Sequence, residues 1–207
     1  MMNPFANDQF IKMAFWFEGS LIGLAYTLGW IADINPIGEL KFTAKALGLG
    51  VLGTVPLFAL FLLFHAFPKG SLRTIKQILH NILGPPLSAC SFMQLFLLAA
   101  LAGIAEEILF RGVIQLWLES VWGMTAGLLM SNLLFGLVHF VSITYAIVAA
   151  LIGIYLGLFL DAGGERNLLT PVIIHGLYDF LGFLVVAHSF NKNRSDGEAI
   201  KVVGHKE

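Results

Sequence analysis

Residues 92–118 read FMQLFLLAALAGIAEEILFRGVIQLWL, and this run decides the fold class. It is longer than the ~20 predominantly apolar residues a membrane-spanning helix requires, yet it carries Glu106, Glu107 and Arg111 near its middle. Similar apolar runs occupy 13–32, 46–66, 122–141, 143–161 and 170–189, so the chain reads as about six transmembrane helices. Composition agrees with this reading. Of 207 residues, 57% are hydrophobic and 12% charged, and the mean hydropathy is +0.83. The expected architecture is an all-α polytopic membrane bundle.

The same arithmetic removes several function classes. Twelve Lys and Arg against 13 Asp and Glu leave no basic excess for nucleic acid. A lone Cys90 cannot form an intrachain disulfide. The spans account for 1–190 as a single membrane-embedded domain with its motif core at 92–189. Residues 191–207 read as a polar, disordered tail. Lys12, Lys69, Arg73, Lys76, Lys192, Arg194, Lys201 and Lys206 fall on one side of a six-span topology, and Lys41, Lys45 and Arg166 on the other. That asymmetry predicts that both termini are cytoplasmic.

Between the second and third runs, Leu72, Ile75, Ile78, Leu79, Ile82 and Leu83 recur at helical spacing, opposite Arg73, Lys76 and His80. This pattern predicts an interfacial helix ending at Pro85 and Pro86. The pairs Gly19/Gly23, Gly153/Gly157 and Gly127/Ser131 have the small-xxx-small spacing of close helix packing.

A charge at the centre of a span costs about 2.5 to 3.5 kcal/mol, so each ionisable group there is a functional candidate. Glu18 lies in the first run, His139 late in the fourth, and His175 and Asp179 early in the sixth. Glu107 and Arg111, four residues apart, share a helix face and read as a supporting ion pair. Glu106 is rotated ~100° away and lacks a local cation, which frees it for chemistry. Asp179 sits one turn beyond His175, where it could fix the imidazole tautomer. Phe135 precedes His139 by one turn and could pack against its ring. Glu18 reads either as a lid or substrate contact or as a helix-packing hydrogen bond.

These motifs, EEILFR at 106–111, FGLVH at 135–139 and HGLYD at 175–179, resemble in order those of the CPBP family of intramembrane proteases, also called the Abi or CAAX-protease-like family. The resemblance covers 106–179 and implies a membrane endopeptidase. In it Glu106 and His139 activate water, His175 and Asp179 complete the site, and Glu107, Arg111 and Phe135 support it. It implies a membrane-associated or lipidated peptide or protein as substrate. The family's prenyl-protein endopeptidase carries Asn where this chain has Asp179, and an ionised Asp can accept but not donate a hydrogen bond. Asp179 is therefore protonated, orients His175, or joins Glu106, His139 and His175 as a zinc ligand. The reading adopted is cofactor-free, with zinc as the alternative. A non-catalytic scaffold that binds a partner membrane protein is the rival function; a proton-coupled transporter would be expected to show repeats, and none is visible. In a regular six-span bundle His139 and His175 fall at different depths, so tilt, a half-span or shifted boundaries must bring them together.

Overall fold

The computed structural model describes residues 4–204, with side chains from Asp8 to Asp196. Its helices are α1 (Pro4–Ala32), α2 (Ala44–Ala66), α3 (Ser71–Ile82), α4 (Gly84–Ala89), α5 (Phe92–Leu109), α6 (Gln115–Trp122), α7 (Met124–Val138), α8 (Ile143–Phe159) and α9 (Leu169–Gly204). A π-helical turn at Phe110–Ile114 joins α5 to α6 into one long rod. No strand occurs among the described residues.

The chain is a helical membrane bundle, but its spans are unequal. Ala44–Ala66, Phe92–Trp122 and Leu169–Asp196 are long and apolar enough to cross a bilayer. Helix α1 has the length but falls short in apolarity, and α7 and α8, of 15 and 17 residues, are shorter than the expected runs. At 1.5 Å per residue they reach only about 22 and 25 Å, against a hydrocarbon core of about 30 Å. The six runs of the sequence are thus three full spans and three lesser helices. Where composition points to an unfolded tail from Asn191 onward, the backbone remains helical to Gly204; residues 205–207 lie outside the described residues.

Local chemistry sets the element boundaries. Ser91 and Gln94 form a reciprocal capping box that starts α5, while Thr43 and Ser142 cap α2 and α8. Gly123, at φ +83°, makes the tight reversal between α6 and α7, a conformation that favours glycine. Helix α3 is the amphipathic helix the sequence predicts, and it runs into the short α4 at Gly84.

Helix α5 packs against α1 and α9, α9 also covers α2 and α4, and α6 to α8 form a second group. The core around the rod holds Ala25, Ile108, Leu109, Phe110, Val113 and Phe135. Close approaches use glycine selectively. A Cβ at Gly103 would stand 2.7 Å from the Gly176 nitrogen, and one at Gly157 would stand 2.5 Å from Leu128 Cδ1. Gly19 and Gly23 meet nothing within 4 Å, so the packing role expected for that pair is not realised. The pattern alone cannot distinguish a glycine at a helix contact from one on an open face.

Candidate active site

Glycine contacts fix the register that brings the motifs together. Gly103 lies against Gly176 and Gly112 against Leu168, so Glu106 falls opposite the turn holding His175 on the antiparallel α9. The rod continues ten positions beyond Gly112 to Trp122 before turning at Gly123, and Gly127 then packs on Glu119. Sixteen positions separate Glu106 from Trp122, and sixteen separate Gly123 from His139. The stagger resolves the depth mismatch: α7 starts farther out than α9, and its earlier end delivers His139 to the level of His175.

Both imidazoles turn Nε2 toward one oxygen of Glu106. His139 Nε2 lies 3.5 Å and His175 Nε2 4.0 Å from Glu106 Oε2, and Asp179 Oδ2 lies 3.5 Å from His175 Nε2. Apart from these ion-pair approaches, Glu106 Oε2 is buried and has no hydrogen-bond partner. The opposite ring nitrogens are anchored. His139 Nδ1 donates to the Phe135 carbonyl at 2.8 Å, since a carbonyl can only accept. His175 Nδ1 donates at 2.8 Å to Glu107 Oε1. In the neutral rings, both Nε2 lone pairs therefore face Glu106.

Sequence spacing places only Asp179 beside His175, whereas the fold also brings Glu107 to it. Glu107 serves two partners, because Arg111 donates to the same Oε1 at 2.7 Å. Arg111 also donates at 2.9 Å to Asn132 Oδ1 and at 2.7 Å to the Gly153 carbonyl. The Glu107 and Arg111 side chains are both fully buried, so this network locks α5, α7 and α8 around His175. The missed residue, Asn132, is a lone amide in an apolar run, and that polarity was the available signal.

Phe135 forms the site's aromatic wall. Its ring lies 4.3 Å from that of His139, with Phe110 edge-on at 4.9 Å and Arg111 over its face at 4.8 Å. Exposure is graded across the cluster. His139 and Asp179 side chains are 28% and 24% exposed, Glu106 and His175 12% and 10%, and Glu107 0%. The cluster thus opens on its His139 and Asp179 side. Among the described residues, no three His, Cys, Asp or Glu side chains are arranged to hold a metal ion.

Elsewhere, an apolar groove of about 140 Å³ lies between α3 and the start of α8, lined by Ile75, Ile78, Leu79, Ile82, Val141 and Tyr145. At the other end of the bundle, Arg166 pairs with Asp161 through two nitrogens and with Glu119 at 2.7 Å. The Asp161 contacts, with Glu119 behind them, hold its guanidinium above the ordinary value despite burial.

Residues 88–181 match the family model described as type II CAAX prenyl endopeptidase Rce1-like. The match covers just under half of the chain. The Rce1-like segment contains all three motifs and supports assignment as a membrane peptidase of the CAAX-protease type. Helices α1, α2 and α3 lie outside the matched residues. No curated protein and no solved structure matches the chain.

Proposed function

We propose that the Rce1-like segment hydrolyses a peptide bond in a membrane-associated protein or peptide, using Glu106 as the general base and acid. The observation that carries this reading is the convergence of His139 Nε2 and His175 Nε2 on Glu106 Oε2, at 3.5 and 4.0 Å. These separations exceed a direct hydrogen bond and fit groups bridged by one water. Glu106 takes a proton from that water as its oxygen attacks the scissile carbonyl, and then delivers the proton to the departing amine. His139, held through Nδ1 by the Phe135 carbonyl, aligns the water through Nε2. His175, protonated between the carboxylates of Glu107 and Asp179, donates from Nε2 to the oxyanion. Asp179 is then an acceptor that keeps His175 charged, consistent with an ionised carboxylate being unable to replace an amide donor.

The apolar groove beside Tyr145 supports a lipidated substrate, its chain lying along α3 while the peptide reaches the open side of the site. The basic-residue asymmetry of the sequence supports cytoplasmic termini. The mechanism carries no metal step.

The test is cleavage of lipidated and unlipidated peptides by the full chain reconstituted in liposomes. Glu106→Ala, His139→Ala and His175→Ala are each expected to lower kcat by about 100-fold or more. Cleavage surviving all three changes refutes the assignment and leaves a partner-binding scaffold. Activity lost to a chelator and restored by zinc refutes the metal-free mechanism.

A further inference from the structure

Helix α1 contributes a carboxylate that the motifs do not include. Phe10 packs with the Leu87 and Leu95 cluster, and Ala25 with Ile108 and Leu109. Glu18, midway between them, comes level with the part of α5 that faces His175 and Asp179. It interacts electrostatically with Glu106, His175 and Asp179, and its Oε2 is buried without a hydrogen-bond partner. A packing role would give that oxygen a donor on a neighbouring helix, and it has none.

The supply of donors gives the carboxylate its purpose. Arg111 is taken by Glu107, Asn132 and the Gly153 carbonyl. Glu18, Glu106 and Asp179 then face two imidazoles, and among the described residues no Lys or Arg pairs with any of the three. Three acids and two imidazoles thus share one pocket, and the buried Oε2 atoms of Glu18 and Glu106 both lack a donor there.

We propose that Glu18 is a specificity-determining residue that binds a cationic group of the substrate, a Lys or Arg side chain, beside the scissile bond. This rests on the peptidase reading and names the chemistry its substrate brings. The ammonium or guanidinium supplies the missing donor, and Glu18 holds the peptide at a fixed distance from Glu106.

The experiment uses the full chain in liposomes with three otherwise identical peptides bearing Lys, norleucine or Glu next to the cleaved bond, scanned over the flanking positions. At one position the wild type should favour Lys over norleucine by about tenfold in kcat/KM, as expected for a charged hydrogen bond. Glu18→Gln should collapse that ratio toward one, mainly through KM, and Glu18→Lys should turn the preference toward the Glu peptide. Equal cleavage of the three peptides at every position overturns the proposal, as does a Glu18→Gln effect on kcat alone that is the same for all three. Cleavage that survives Glu106→Ala overturns the peptidase reading instead. Peptide binding to the Glu106→Gln protein gives a separate readout. A Lys preference lost with Glu18→Gln supports the cation site even where turnover is absent, and equal affinities overturn it.

Discussion

Replacing Arg111 by leucine tests whether the buried network holds α5, α7 and α8 together. The guanidinium donates to Glu107 Oε1, Asn132 Oδ1 and the Gly153 carbonyl at 2.7 to 2.9 Å, with neither side chain of the ion pair exposed. Removing one partner of a buried pair costs about 3 to 5 kcal/mol, because the other charge is left uncompensated in a low-dielectric interior. The stranded Asn132 and Gly153 acceptors add to that. Arg111→Leu should therefore lower stability by at least about 3 kcal/mol, roughly two powers of ten in the folding equilibrium. Glu107→Leu combined with Arg111→Leu should recover about half of the loss, since removing both charges ends the uncompensated burial. Reversible SDS unfolding in mixed micelles, followed by tryptophan fluorescence, measures the wild type, both single variants and the double variant. A loss below about 1 kcal/mol for the single variant, or a double variant as unstable as the sum of the singles, would refute the reasoning. The double variant should nevertheless be inactive, because His175 loses its Nδ1 acceptor.

Other outcomes follow from the same contacts. Glu107→Gln keeps the shape but removes the charge against both His175 Nδ1 and Arg111, so kcat should fall about 10- to 100-fold and the melting temperature should drop with it, as read by peptide cleavage beside a melting curve. Gly103→Ala forces a methyl group against the Gly176 backbone and should cost about 1 to 3 kcal/mol. Gly19→Ala meets open space and should be neutral or stabilising by up to about 1 kcal/mol, so paired melting curves separate the two glycines. Arg166→Ala removes the clasp to Asp161 and Glu119 and should loosen the α8–α9 connection by about 1 to 3 kcal/mol, measured as faster proteolytic nicking there.

The sequence exposed the helical membrane class because apolar runs near twenty residues have few soluble explanations. It also exposed the ionisable groups, since each stands out against lipid-compatible neighbours. Span lengths were less legible: hydropathy continues through Val138 to Phe140 and Val141, while the helix ends at Val138. The π turn left no mark in the pattern, and neither did the stagger of α7 against α9. Both depend on which backbones approach, as at Gly112 and Gly127. The three motifs announced their residues, whereas the link from Glu107 to His175 required the packing of α5 on α9.

The position of Arg111 has a consequence for biogenesis. Its oxygen partners Asn132 and Gly153 belong to helices synthesised later, so the rod carrying it leaves the ribosome before two of its three acceptors exist. An early α5–α6 rod meets lipid with only Glu107 to neutralise it. Its integration is therefore coupled to the arrival of α7 and α8, and a nascent chain halted after Trp122 should remain extractable by alkali, while one extended past Phe159 should resist.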